Sequence, residues 1–218
     1  IQGWEQLAVQ EKKLAYYLTM AGLAGRDIMW DQNYKYNLRI RRALEKVIAG
    51  YKGEKNADDW KKFMEYSKEV FFSNGIHHHY GMDKFTPAFS REWFEGELKG
   101  ANSSLAPEVL EAMFNPAIDA KKVSLDATKD LQLASAVNFY GDDVTEKEVE
   151  SFYGAMRQPI DSMPLSFGLN SKLVKENGKL VERTWKEGGM YSAALTEVNK
   201  WLAKAKEVAC NEQQRTDI

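Results

Sequence analysis

Residues 169–186 limit the possible folds more than any other segment. Two short runs, centred on Leu173-Val174 and Leu180-Val181, flank Asn177-Gly178. Asn-Gly supplies the two positive φ angles of a tight two-residue turn, so this segment predicts a β-hairpin. A two-stranded ribbon is marginal by itself and must pack on something. No further strand pair is read from the sequence, so the sheet partners of this hairpin are expected to lie beyond residue 218.

The remainder reads as helices. From about Leu7 to Met29, apolar residues recur at Leu14, Tyr17, Leu18 and Ala21, the spacing of one helical face. Gly22 and Gly25 interrupt it and mark either a kink or a close approach of another helix. A second helix is expected from about Tyr36 to Tyr51, with Leu38, Ile40, Leu44, Val47 and Ile48 inward. Arg39, Arg41, Arg42 and Lys46 fall on its solvated face, and Gly50 and Gly53 end it. A third helix begins after Asn56, with Asp58 or Asp59 at its positive end, and runs to about Phe72. Ser90 caps a helix reaching Leu98, and Pro107 opens another that ends at Phe114. Two more are expected over Asp130–Tyr140 and Thr145–Met156, the latter with a Thr145/Glu148 capping box. The last helix starts near Ser192, presents Leu195, Val198, Leu202 and Ala205 on one face, and carries Cys210. The fold class is therefore mainly α with a small β portion (α+β), in a single region spanning 1–218.

Composition narrows the function. Hydrophobic residues make up 44% and charged residues 28%, the profile of a globular chain with a core. A net charge of −2 gives no reason to expect nucleic acid as a partner, and no apolar run approaches a membrane-spanning length. One cysteine excludes an internal disulfide and fits either a reducing compartment or a cysteine-poor exported protein, so cytoplasmic and periplasmic locations both stand. The chain does not open on Met, and its last helix reads as still running, so it is expected to be a piece of a longer protein.

All three histidines fall in Ser73-Asn74-Gly75-Ile76-His77-His78-His79-Tyr80-Gly81-Met82-Asp83-Lys84-Phe85. A catalytic zinc needs about three converging ligands, commonly two histidines on one helical face with a glutamate beside them. That pattern is absent. In an extended segment His77 and His79 would share a face, with His78 on the other, giving at most a weak pair. The plainer reading is a loop or edge strand whose imidazoles are hydrogen-bonded or solvated. No nucleophile elbow and no phosphate-binding glycine loop occur, and no histidine stands near Cys210 in sequence. Motif chemistry alone gives no complete enzyme.

Three segments carry a resemblance: Gly25-Arg26-Asp27-Ile28-Met29-Trp30-Asp31-Gln32-Asn33, then Asn37-Leu38-Arg39-Ile40-Arg41-Arg42, then Phe72 to Phe85. Together with Gly188-Gly189-Met190-Tyr191 and Leu195 to Leu202, they resemble the bacterial branch of the dipeptidyl peptidase III family (peptidase family M49), nearest to its Bacteroides-type members. The likeness runs in order from about residue 5 to 214 and is thinnest over 100–165. It implies a two-lobed zinc metallopeptidase that releases dipeptides from the N-termini of short peptides. The family's zinc motifs, a His-Glu-x-x-Gly-His type and a Glu-Glu-containing helix, do not occur here. The chain is thus similar to the N-terminal part of the peptide-binding lobe. Zinc is expected in the full-length parent and none on this fragment, which alone is expected to be inactive. Its implied partners are short peptides and the remainder of the parent polypeptide.

The resemblance also implies that the 73–85 segment lines the peptide cleft. Tyr80 falls where the family has an aromatic residue beside bound peptide, and Asn74 and His79 are neighbours able to exchange hydrogen bonds there. The alternative is a free-standing helical module that binds a peptide or protein without catalysis.

Overall fold

The computed structural model describes residues 1–156 and 165–218. A 3-10 turn at Trp4–Gln6 precedes α1 (Val9–Asn33), α2 (Asn37–Gly50), α3 (Asp58–Ser73), α4 (Arg91–Gly100), α5 (Pro107–Phe114) and α6 (Glu146–Gly154). Strands β1 (Ser171–Glu176) and β2 (Lys179–Thr184) follow, then α7 (Ser192–Glu207) and α8 (Glu212–Asp217). The fold is mainly α with one small sheet, β1–β2. No described helix is long and apolar enough to cross a membrane. The chain divides into two compact units, one formed by residues 30–182 and the other by 1–29 and 183–218.

The 30–182 unit is built on aromatic packing. Ile40, Ala43, Leu44 and Val47 of α2 meet Trp60, Phe63, Tyr66 and Val70 of α3, and Phe94, Leu98, Val109 and Met113 extend the cluster through α4 and α5. The Tyr51 ring lies flat on Trp60, with centroids 3.8 Å apart and planes 7° from parallel. Phe63 meets Phe89 and Trp93 at 5.5 Å each. Such offset and edge-on aromatic pairs add about 1 kcal/mol apiece beyond the area they bury. The helix starts follow local chemistry. Ser90 Oγ accepts from Trp93 N at 3.1 Å, Pro107 opens α5, and Asp58 and Asp59 stand in the first turn of α3. The capping box of α6 is complete: Glu148 N donates to Thr145 Oγ1, and Thr145 N donates back to Glu148 Oε2.

The hairpin forms as expected, with Asn177 and Gly178 at φ 52° and 76°. The inner residue Leu173 is fully buried and bonds to the 139–141 segment, donating to Phe139 O at 3.1 Å and accepting from Gly141 N at 2.8 Å. Lys175 ties β1 to α6 through Glu148 at 2.9 Å. Ser171 Oγ of β1 and Tyr153 Oη both donate to Glu182 Oε1 of β2.

In the unit of residues 1–29 and 183–218, Tyr17 stacks on Trp201 at 6.0 Å, and Gln10 Nε2 donates to Ala209 O. Lys204 Nζ lies 4.4 Å from the centroid of the Trp201 ring. Helix α1 passes through both glycines. At Gly25 a Cβ would only reach ordinary contact with Val198 Cγ2, at 3.5 Å, and at Gly22 it would meet nothing. Neither glycine is therefore required by a close approach.

Several expectations are corrected. Residues 130–140 are not a helix but a series of turns. Ala134 N bonds back to Asp130 O and Ser135 N to Gln132 O, whereas Ala136 N and Val137 N go to Lys121 O and Lys122 O, and Asn138 N goes to Gln32 O. Backbone pairing with distant segments replaces the helical bonds. The Asp130 carboxylate instead accepts from Gln132 N, Leu133 N and Glu146 N, fixing the turn against the start of α6. Arg41 is buried rather than solvated. Its guanidinium lies over the Trp30 ring at 5.1 Å, and its Nε bonds Glu45 at 2.8 Å. The last helix does not run on: α7 ends at Glu207, and Asn211 caps α8 by accepting from Gln214 N. Cys210 accordingly sits exposed in the bend between α7 and α8, not within a helix.

Candidate functional site

Helix α3 closes on Asn74, which takes a left-handed conformation at φ 53°, while Gly75 N donates to Val70 O at 3.0 Å. The chain then doubles back through residues 76–85. Phe85 N donates to Ile76 O at 2.8 Å, His78 N to Asp83 O at 2.7 Å, and Met82 N to His78 O at 3.0 Å. His77 bridges Lys84 in antiparallel fashion. The segment is thus a short irregular hairpin with Tyr80 near its tip.

Two anchors hold its base, Asn37, which is buried, and Lys84, which is half-buried. The side-chain amide of Asn37 accepts from Ile76 N and donates to Trp30 O, both at 3.1 Å. A Cβ on Gly75 would collide with this amide, which is why glycine stands there. On the opposite arm, Lys84 Nζ donates to Ala112 O at 2.9 Å, to Asn115 O at 2.7 Å and also to Ile118 O. These carbonyls lie at and beyond the end of α5, where unsatisfied oxygens favour a cation. Burial lowers the Lys84 pKa below the usual range for lysine.

The three histidines have three different roles. His77 is buried, and its Nε2–H donates to Asp119 O at 2.7 Å. Its Nδ1 is enclosed without a partner. Burial is the main reason its pKa falls to about 4, opposed by the bond to Asp119 and reinforced by the positive charges of Lys84 and Lys122. Tyr34 backs it with an edge-on ring at 5.3 Å and donates its hydroxyl to Asp119 Oδ2 at 2.6 Å. Burial, followed by that bond, raises the Tyr34 pKa far above the ordinary phenol value. His78 is a turn-former: its Nδ1 accepts from Tyr80 N at 3.2 Å and Gly81 N at 2.9 Å. His79 is half-buried between two exposed rings. Its ring stands between Phe72 at 5.1 Å and Tyr80 at 4.4 Å, and stacks on His78 at 4.8 Å. Its Nδ1 lies 3.4 Å from Ser73 Oγ.

These positions replace the picture of His77 and His79 sharing one face. His77 is buried, with the Tyr34 ring edge-on beside it and Asp119 O accepting its one proton. The residues present do not fit a zinc ion. His77 Nε2 is spent on a carbonyl, His78 Nδ1 on two amides, and no group of three or more His, Cys, Asp or Glu among the described residues is placed to hold a metal.

Of the site residues expected from sequence, His79 and Tyr80 come together in ring contact. Tyr80 is 82% exposed. Asn74 stands at the foot of the same hairpin, its carbonyl accepting from Asn33 Nδ2 at 3.0 Å. The structure adds Phe72, which is 76% exposed against the other side of His79. Its place at the last turn of α3, outside the buried face, is the signal that could have flagged it. Asn37, Lys84 and Asp119 had no such signal, because their partners lie far along the chain.

No family model matches the sequence, and no curated protein matches it. Among solved structures, the chain is similar to DPP III from Caldithrix abyssi, with a TM-score of 0.56 and 19% identity over 98% of this chain. It spans 30% of the length of that protein. At this identity the likeness establishes a DPP III-like fold.

Proposed function

We propose that this chain forms the N-terminal part of the peptide-binding lobe of a zinc dipeptidyl peptidase, which removes dipeptides from the N-termini of short peptides. The observation that carries the proposal is a ring ledge, exposed Phe72 and Tyr80 on either side of half-buried His79, on a firmly anchored hairpin in a chain with a DPP III-like fold. Large rings left in water beside polar groups suit a peptide, whose side chains need apolar contact and whose backbone needs hydrogen bonds. Asn74 and His79 are the polar neighbours on this hairpin. The anchoring by Asn37 and Lys84 means that little ordering cost falls on binding. The zinc would be held by segments of the parent outside this chain, and the peptide-cutting chemistry would lie with them.

The ledge also suits a free-standing module that binds a peptide without cutting it, and the two readings share the same contact surface. Titration of short peptides into the isotopically labelled chain tests that surface. Chemical-shift changes are expected to converge on residues 72–85. Tyr80→Ala is expected to weaken binding roughly tenfold, as truncating a central aromatic contact commonly does. Because the Tyr80 side chain is exposed, the variant should unfold within about 0.5 kcal/mol of the parent. Shifts centred elsewhere, or a Tyr80→Ala chain that binds equally well, would contradict the assignment.

A further inference from the structure

The chain contains two Asn-Gly pairs, Asn74-Gly75 and Asn177-Gly178. They are chemically identical and structurally opposite. We infer that Asn177 is a site of spontaneous backbone modification, deamidating to aspartate and isoaspartate in the folded protein, while Asn74 is held inert.

The reaction needs one nucleophile, the main-chain nitrogen after the asparagine. That nitrogen gives its proton to solvent base and attacks the asparagine Cγ. A new C–N bond closes a succinimide ring, the Cγ–Nδ2 bond breaks, and ammonia leaves. Water then opens the ring at either carbonyl, giving Asp or isoAsp, so no oxidant or further reactant is required. Glycine in the second position leaves the nitrogen unhindered, because it has no Cβ.

At Gly178 the nitrogen is available. Both turn residues are exposed, the Gly178 N–H makes no hydrogen bond among the described residues, and a Cβ placed there would meet no atom within 4 Å. The Asn177 side-chain amide likewise makes no hydrogen bond among the described residues. At Gly75 the conditions around the nitrogen are reversed. The residue is buried, its N–H is held by Val70 O at 3.0 Å, and the Asn37 amide packs against its Cα. Attack at Asn74 would require opening the end of α3.

The product has a structural consequence. Isoaspartate inserts a methylene into the main chain at the two-residue turn, where the positive φ angles of Asn177 and Gly178 set the register of β1 against β2. It also places a new carboxylate next to Glu176. The hairpin tip would loosen, while the buried end at Leu173 keeps its bonds to Phe139 and Gly141.

The test is to age the 218-residue chain in mildly alkaline buffer and map two products by peptide mass spectrometry: the exchange of an amide nitrogen for oxygen, and the isoaspartate itself. In the folded protein, modification at Asn177 is expected to outpace that at Asn74 by at least about tenfold, because opening buried backbone adds a free-energy barrier that an exposed turn lacks. In denaturant the two rates are expected to converge, which separates structural protection from sequence effects. Equal rates in the folded chain, or a difference that persists undiminished in denaturant, would overturn the inference.

Discussion

At the scale of single residues, burial decides what each histidine does. His77 donates from Nε2 to Asp119 O, leaving Nδ1 enclosed and unpaired, so the neutral ring is the form the core accepts. Its pKa of about 4 lies below the ordinary 6.5, and the unfolded chain therefore binds more protons between these values than the folded one. The stability His77 contributes is full above pH 6.5 and is lost as the pH falls toward 4, on the order of 3 kcal/mol in total. Its NMR resonance is expected to titrate near pH 4, and a midpoint near 6.5 would show the ring to be solvated. The triplet was legible only as a unit. A run of identical residues gives no sign that the first is core, the second a turn-former and the third a surface ring, because each role depends on a partner elsewhere: Asp119, the Tyr80 and Gly81 amides, and Phe72.

At the scale of elements, the legible parts were those whose determinants are local. Pro107 and Ser90 mark the starts of α5 and α4, and Asn177-Gly178 marks the hairpin turn. The α6 capping box is fully formed, and Lys175 adds to it, so Glu148 is held at a pKa of about 2, chiefly by its bond from the Thr145 backbone. Thr145→Ala is expected to destabilise the protein by about 1 kcal/mol. Chemical denaturation measures this, and no change in midpoint would mean that the box contributes nothing. The low pKa places the loss of the Glu148 contribution between pH 4.5 and about 2, a more acidic window than that of His77. Residues 130–140 are the converse case, a segment whose backbone partners are distant. Their composition permits a helix, but the amides of Ala136, Val137 and Asn138 find carbonyls at Lys121, Lys122 and Gln32. Arg41 is a similar case: a cation on a helix reads as solvated unless the Trp30 ring it covers is known.

At the scale of the whole molecule, two compact units share one chain, and the 30–182 unit presents the ring ledge. The fold matches 30% of a DPP III chain, and no group of three or more His, Cys, Asp or Glu among the described residues is placed to hold a metal. Under the proposed function, residues 1–218 would hold peptide and the metal chemistry would belong to the rest of the parent. The most direct measurement compares zinc content and dipeptide release for the 218-residue chain and for the polypeptide encoded by the whole gene. Stoichiometric zinc and turnover are expected only in the whole-gene polypeptide. Zinc and turnover in the 218-residue chain itself, or neither in the whole-gene polypeptide, would contradict the account.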